Sequence, residues 1–267
     1  ELTLDSSLLL LGIGAFAGLA AGFIGIGGGV IMVPVLLELF RAWELPPEVL
    51  VQAAMGTSLA VATLSVGSSA LRHSRQGTVL WRVVPFLAPA SMLGGWLAVM
   101  LARHLPGGGL QRFLAVVLVF VALRMWFEKQ GVERPLRALR WWSWALLGFG
   151  TGLFAGLTGL AGGLVLIPAM ALVAHVSTRN LAGTSSGVVT FTALAAAVGY
   201  LTHAPAVPLP SGFIGHVQPA VALCLALASV PAAQLGAWLN KKADSRVYRR
   251  VFGLLLIGVV IRLFLTA

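Results

Sequence analysis

The sequence GIGGG at residues 25–29 lies inside an apolar run, residues 8–40, that carries no charged residue before Glu38. A glycine within a helix costs about 1 kcal/mol relative to alanine, so four glycines in five positions predict a break in the helix. In a membrane, the N–H and C=O groups freed by such a break need partners from the protein or from a water-filled cavity. The stretch therefore predicts irregular backbone held at membrane depth.

The same pattern returns 134 positions later, counted from Pro34 to Pro168. Residues 14–34 read GAFAGLAAGFIGIGGGVIMVP, residues 148–168 read GFGTGLFAGLTGLAGGLVLIP, and the two are identical at nine of 21 positions. Six of the identities are glycines and the last is proline. Chance similarity between two apolar runs does not readily align six glycines and a proline. The chain therefore contains an internal duplication. Paired glycine- or proline-broken segments in two halves indicate the binding site of a transporter.

The composition is that of a polytopic helical membrane protein, with 58% hydrophobic and 10% charged residues in a chain of 267. The net charge of +10 is concentrated in a few loops, which favours cytoplasmic loops over a nucleic-acid partner. Cys224 is the only cysteine and lies in an apolar run, so the chain has no CxxC site. We expect no cofactor and no bound metal.

The two halves are predicted at residues 1–127 and 141–267, joined by a charged linker at residues 128–140. Each half contains four apolar segments of spanning or near-spanning length and one short segment, at residues 30–40 and 164–176. These short segments cannot cross a core of about 30 Å and predict half-helices or re-entrant hairpins. With five elements per half, 14 of the 18 lysines and arginines lie on one side. The positive-inside rule then predicts a cytoplasmic linker, both termini outside, and two inverted repeats in an all-α fold.

The site is predicted to bind an anion through neutral donors, because no aspartate or glutamate lies deep in any apolar segment. Helix N-termini after each glycine cluster carry unpaired N–H groups and partial positive charge, which suit anions. A Gly-Thr-Ser sequence recurs in the helix that follows each cluster, at residues 56–58 and 183–185. The predicted substrate-binding residues are Gly28, Gly29, Thr57, Ser58, Gly162, Gly163, Thr184 and Ser185.

Each of these features also has a purely structural interpretation. Glycines at four-residue spacing before each cluster are typical of close helix packing. Buried hydroxyls often bond back to their own helix. The histidines at segment ends, His73, His104, His175 and His216, are expected in water or at the headgroups. A charge or proton role remains open for Arg72, His73 and His203.

The glycine clusters, the two Gly-Thr-Ser helices and the Arg-His segment before Gly77-Thr78-Val79 together resemble the TauE/SafE sulfite exporter family, also called toluene sulfonate uptake permeases. The resemblance runs from residue 8 to residue 265. It implies a permease of a bacterial or archaeal inner membrane for sulfite or an organosulfonate such as sulfoacetate. The second copy departs from the first, since Ala161 replaces Gly27 and residues 201–203 replace the Arg-His segment.

The sequence therefore predicts a secondary transporter that exports a small sulfur oxyanion by alternating access at a midplane site, without enzymatic chemistry. Its partners are the anion and the lipid bilayer, and the oligomeric state and coupling ion stay open. An anion channel, or a permease for another small solute, is the alternative. A membrane enzyme would need a deep cluster of His, Asp, Glu or Cys, and a metal permease would need intramembrane acids.

Overall fold

The computed structural model describes residues 4–102 and 139–240 and, between these ranges, residues 104, 105, 109, 112, 113, 116, 119 and 137. Over these residues the chain is all-helical, as predicted, with eight helices and no β-strand. The helices are α1 (Leu4–Ile24), α2 (Gly29–Ala42), α3 (Pro47–Arg75), α4 (Val84–Ala102), α5 (Trp141–Thr158), α6 (Gly163–Val173), α7 (Thr178–Thr202) and α8 (Pro219–Asn240).

Within the described chain, five helices are long and apolar enough to cross a membrane: α1, α3, α4, α7 and α8. Large apolar side chains lie on the outside of the bundle, as at Leu8 and Leu227, which are 65% and 63% exposed. Such faces are stable in lipid and unfavourable in water. The protein is therefore a multi-pass membrane protein, with α3 and α7 as its most buried helices.

The glycine clusters break the helices where the sequence predicts. Between α1 and α2 the backbone takes positive φ at Gly25, Gly27 and Gly28, a conformation that glycine adopts without steric cost. The helices that follow are short: α2 has 14 residues and α6 has 11. At about 1.5 Å per residue neither reaches about 30 Å, as expected for half-helices. Their depth in a membrane stays a prediction.

Helices from opposite halves pack in pairs through glycine. Successive glycines of α1 lie against the backbone of α8, and successive glycines of α5 lie against α4. A side chain at these positions would overlap the facing backbone, so the packing interpretation of these glycines is confirmed. The contacting pairs are Gly14–Leu225, Gly18–Ser229, Gly22–Ala233, Gly148–Leu87, Gly152–Ser91 and Gly156–Gly95.

The order of these contacts gives the helix directions. Residue numbers rise together in the pairs α1–α8 and α4–α5, so each pair runs in one direction. The central helices run in opposite directions, because Met55 meets Tyr200 whereas Ser69 meets Ser186. The contacts Thr57–Gln218 and Ser68–Val230 show that α3 runs parallel to α8. The contacts Ser91–Thr192 and Val99–Gly199 show that α4 runs parallel to α7. Thus α1, α3 and α8 run one way and α4, α5 and α7 the other.

Helices α1, α3 and α4 thus run opposite to their respective counterparts in the second half, α5, α7 and α8, and the inverted repeat itself stays a prediction. The placement of the repeats in a bilayer and the boundaries at residues 127 and 141 stay predictions. The predicted fifth segment of the first half, residues 110–127, lies mostly outside the described residues. The predicted last segment, residues 251–265, and the basic loop before it lie entirely outside them.

Candidate functional site

The two glycine turns meet at the centre of the bundle. Gly29, the first residue of α2, lies against Gly159 and Leu160, and a Cβ added to it would be 2.9 Å from the Cα of Leu160. Gly163, the first residue of α6, lies against Gly25 and Ile26 in the same way, with 2.7 Å to the Cα of Ile26. The structure thus brings together the clusters that the sequence places 134 residues apart.

Two serines cross-link these turns. The hydroxyl of Ser58 on α3 donates to the carbonyl of Gly159 at 3.2 Å, and the hydroxyl of Ser185 on α7 donates to the carbonyl of Gly25 at 2.8 Å. Both side chains are fully buried. Each serine therefore belongs to one half and holds the turn of the other half, which closes the turns against each other in this structure.

The neighbouring threonines face the connectors between helices. The Thr57 hydroxyl oxygen accepts the backbone N–H of Gln218 at 3.1 Å, and that of Thr184 accepts the N–H of Leu80 at 3.0 Å. Gln218 and Leu80 lie in corresponding connectors, before α8 and before α4. Of the four predicted hydroxyls, the serines thus contact the glycine turns, whereas the threonines hold the connectors.

The predicted glycines lie at the start of the two short helices. Gly28 and Gly162 precede α2 and α6 in a left-handed conformation, with φ of 69° and 85°. The first residue of α2 and the first residue of α6 each contact the glycine turn of the other half. The partial positive charges of the two helix N-termini therefore lie in one central region. In the described part of the chain, no group of three or more His, Cys, Asp or Glu side chains is arranged to hold a metal ion. The polar groups at this centre are the N–H groups of the two helix N-termini and the serine hydroxyls, which donate to the carbonyls of the turns.

The expectation that His73 and His216 are solvated is wrong, since they are 1% and 5% exposed. Helix α3 continues to Arg75, four residues past the predicted apolar end at Leu71, and this carries position 73 against α1. The His73 ring lies 3.0 Å from the carbonyl oxygen of Gly22 through Nε2 and 3.1 Å from the Thr78 hydroxyl through Nδ1. Arg72 beside it is half-buried.

His203 caps the opposite end of the bundle, because α7 runs antiparallel to α3. Its Nδ1 lies 2.7 Å from the carbonyl of Gly199, and its ring packs edge-on against Trp96 at 5.6 Å. The structure therefore does not bring His203 together with Arg72 and His73. His216 lies near His203, and burial lowers the pKa of its imidazole. Its Nδ1 and Oε1 of Gln52 are the buried side-chain atoms without a hydrogen-bond partner in the described chain.

Tyr200 is a residue of this region that the sequence analysis missed. Its hydroxyl donates to the carbonyl of Gly156 at 2.9 Å, and its side chain is 1% exposed. Gly156 is the repeat counterpart of Gly22, and Tyr200 is that of His73. The signal was available, because the offset of 127 that relates Thr57 to Thr184 also relates His73 to Tyr200.

Comparison with known proteins identifies relatives that are described as membrane transporters. The sequence model of the family described as sulfite exporter TauE/SafE matches residues 10–263. A "Probable membrane transporter protein" of Haemophilus influenzae is 27% identical, covering 97% of this chain and 98% of that protein. Proteins with the same description from Methanocaldococcus jannaschii and Xylella fastidiosa are 26% and 25% identical, covering 90% and 97% of this chain and 89% and 95% of their own lengths. No solved structure gives a significant match.

Proposed function

This chain belongs to the TauE/SafE sulfite exporter family, and from that premise we propose that it is a secondary transporter which exports a small sulfur oxyanion. The cargo would be sulfite or an organosulfonate such as sulfoacetate. The protein would act in a bacterial or archaeal inner membrane with both termini outside. It would move the anion by alternating access, without a cofactor and without changing it chemically.

The observation that carries this proposal is the meeting of two helix N-termini and two serines at one central point. A helix N-terminus favours an anion by about 0.3–1 kcal/mol, and by up to about 2 kcal/mol where it is partly buried. Serine hydroxyls that now bond the carbonyls of Gly25 and Gly159 could turn to an oxyanion placed between the turns. Binding the anion would thereby exchange bonds between the halves for bonds to the cargo.

Uncharged donors are expected to bind an anion weakly enough for it to be released, as transport requires. The candidate site consists of backbone N–H groups at Gly28, Gly29, Gly162 and Gly163 and of the hydroxyls of Thr57, Ser58, Thr184 and Ser185. None of them carries a full charge, so a bound anion would not be held by an ion pair. Release is as necessary as binding in a carrier. An inside-negative potential drives an anion outward by about 2.3 kcal/mol per charge for each 100 mV.

The alternating-access mechanism is supported by the way the halves interlock. Each half contributes one turn, one short helix and one serine. The serine and the start of the short helix of each half contact the turn of the other half. In this structure the turns are closed against each other. A movement of one half relative to the other would part the turns and expose the same residues to one side of the membrane.

Two alternatives lead to different measurements. An anion channel with the same donors would pass current in proportion to voltage and would show no counterflow. A permease for another small solute would show counterflow with that solute and none with sulfite.

The test is counterflow of radiolabelled sulfite in proteoliposomes at fixed pH and zero potential. The informative variant is Ser58→Ala combined with Ser185→Ala, which removes both exchanged hydroxyls. A hydrogen bond to a charged group contributes about 1.5–3 kcal/mol, so we expect sulfite binding to weaken by at least about tenfold for each serine.

Ser65→Ala is the matched control, because Ser65 is also fully buried on α3 and its hydroxyl donates to Val61 of its own helix at 3.0 Å. If the double variant still exchanges sulfite, the protein is a carrier but its binding site does not depend on Ser58 and Ser185. A folded wild-type protein without sulfite exchange would refute sulfite as cargo, and a panel of other anions and current recordings would then separate the two alternatives.

A further inference from the structure

Corresponding carbonyls in the two halves are held by different side chains. At the end of α1 the imidazole of His73 contacts the carbonyl of Gly22, and at the end of α5 the phenol of Tyr200 contacts the carbonyl of Gly156. We call the first set, with Thr78, the His73 latch and the second the Tyr200 latch. Each one fixes the last turn of a helix that leads directly into a glycine turn. Since α3 and α7 are antiparallel, the latches lie at opposite ends of the bundle.

The partners of the His73 ring are those of a neutral imidazole. A neutral ring has one N–H donor and one bare nitrogen acceptor. The Gly22 carbonyl can only accept, so Nε2 carries the hydrogen, and the Thr78 hydroxyl can donate to Nδ1. In the closed latch the ring is therefore fully satisfied without an additional proton.

Among the residues that the structure describes, no carboxylate lies on the elements around His73 except at their far ends. The other charged residues on these elements are all cations: Arg72 and Arg75 on α3, Arg82 in the connector to α4, and Arg179 at the start of α7. Helix α8 has no charged residue between its ends, and the only one on α1 is Asp5, near its opposite end. Burying a charge without a partner costs several kcal/mol.

From this arrangement we propose that His73 is a proton-binding site which controls opening at one end of the transporter, an inference that rests on the proposed function. When the latch opens, water reaches the ring and Nδ1 takes a proton from it, which gives an imidazolium with two N–H donors. Before the latch closes again, the same proton returns to water. The ligand is a proton, no bond between heavy atoms changes, and the charge balances over one opening and closing.

The Thr78 hydroxyl makes both states of the ring accessible. It lies 3.1 Å from Nδ1 and also 3.1 Å from the backbone carbonyl of His73, so it can donate to either. When Nδ1 gains a hydrogen, the hydroxyl turns to the carbonyl and its oxygen accepts from the ring. Thr78 can therefore hydrogen-bond both the neutral and the protonated ring. Protonation favours the open latch because the charged ring needs water around it.

Tyr200 is the counterpart that does not respond to pH. A tyrosine hydroxyl donates the same kind of bond, and its ordinary pKa of about 10 keeps it protonated at neutral pH. Acidity should therefore act on the His73 latch and not on the Tyr200 hydroxyl. The histidines at the Tyr200 end are His203 and His216, and the His216 ring packs edge-on against Tyr200 at 5.9 Å. A histidine has an ordinary pKa of about 6.5, which places the response near neutral pH.

The first variant for the test is His73→Gln, since a glutamine amide offers one N–H donor and one carbonyl acceptor and so reproduces the neutral ring. The measurement is sulfite counterflow with the pH of one compartment at a time set to about 7.5 or about 5.5, which takes a histidine from about one-tenth to about nine-tenths protonated. Rates are compared with wild type at the same pH, because that ratio cancels the ionisation of sulfite itself.

We expect His73→Gln to exchange sulfite and to lose a pH response of up to about tenfold from one side. Tyr200→His should gain a response from the other side. His203→Gln is the control, because His203 is a half-buried histidine outside both latches, and it should keep the wild-type profile. A His73→Gln protein that exchanges sulfite with the wild-type pH response would overturn the proposal.

A second measurement does not depend on the cargo. Hydrogen exchange of the backbone amides at residues 19–24 reports opening at the end of α1, and comparing variant with wild type at one pH cancels the intrinsic pH dependence of exchange. We expect acid to speed opening in wild type relative to His73→Gln. If acid speeds opening in this way but the protein exchanges no sulfite, the role of His73 is supported and sulfite is not the transported anion. If opening is equal at both pH values, the proposed role of His73 is wrong, whatever the transport result.

Discussion

The two halves of this protein use the same residues to cross-link their glycine turns and different residues near the ends of the bundle. At the centre both halves use a glycine turn and a serine, and each serine bonds the other half's turn. Toward the ends, His73 corresponds to Tyr200 and, in the turns themselves, Gly27 corresponds to Ala161. In the proposed function, the shared residues would serve a step that both halves perform, and the differing residues would allow the two ends of the bundle to respond differently. Changes at matched positions can test each part of this comparison.

The largest effect is expected where the two turns touch. Gly29→Ala or Gly163→Ala would drive a Cβ into the facing backbone, at 2.9 Å from Leu160 Cα or 2.7 Å from Ile26 Cα. Backbone cannot move aside as a flexible side chain can, so we expect each variant to lose about 3 kcal/mol of stability. Thermal unfolding in detergent measures this loss.

Gly150→Ala on α5 is the control for these variants, because a Cβ there meets no atom within 4 Å. It should unfold at the wild-type temperature. If Gly29→Ala and Gly163→Ala do the same, the turns do not pack against each other. If only one of them is destabilising, the centre is less alike in the two halves than the structure indicates.

The threonines give the next largest effect and distinguish the halves. Valine has the shape of threonine but no acceptor, so Thr57→Val leaves the Gln218 N–H without its partner and Thr184→Val does the same to Leu80. An unsatisfied buried donor costs about 1–3 kcal/mol, or roughly 2–4 °C in melting temperature per kcal/mol. The Thr57 bond is buried and the Thr184 bond is only partly so, and we therefore expect Thr57→Val to melt lower. Equal shifts would show that the two connectors are equally accessible to water, and the reverse order would show that the Leu80 N–H is the more buried donor.

A smaller effect is expected from acid at His216, in the connector of the second half. Burial lowers the pKa of this imidazole in the folded protein, so the unfolded chain binds more protons at low pH. Stability from this group is complete above the ordinary pKa of about 6.5 and falls as the pH drops below it. The melting temperature of His216→Gln should thus fall less than that of wild type between about pH 7.5 and about pH 5.5. His104→Gln, at an exposed position, should follow wild type, and a His216→Gln profile that also does so would exclude this linkage.

The smallest effect is expected from exchanging Gly27 and Ala161. Ala161 has φ of 58°, in a region that costs an alanine about 1 kcal/mol, so Ala161→Gly should be neutral or slightly stabilising. Gly27→Ala alone should destabilise, because its Cβ would lie 2.7 Å from that of Ala161. Combining the two substitutions removes the clash and should recover part of the loss in a double-mutant cycle. Purely additive effects would mean that these residues do not touch.

Features that depend on local sequence could be predicted from it. Glycine clusters mark the turns because positive φ is a local property, and the helix starts at Pro47 and Thr178 follow from proline and from the polar residues before them. The partners of Ser58 and Ser185 could not be predicted, because they lie 101 and 160 residues away in the chain. His73 was misplaced for a related reason. The polar residues around it read as a helix end, and only the packing of α3 on α1 and α8 shows that the helix continues past them.

The pairing of α1 with α8 has a consequence for how the chain is made. Gly14 contacts Leu225, a residue that is synthesised 211 positions later. At roughly 5–20 residues per second, the ribosome needs on the order of 10–40 s to supply that partner. During this interval the glycine stripe of α1 lacks its partner helix α8, so lipid or the insertion machinery must contact it instead. Assembly of this protein therefore cannot be completed from its first half, and a product truncated before α8 leaves the glycine stripe of α1 without its partner helix.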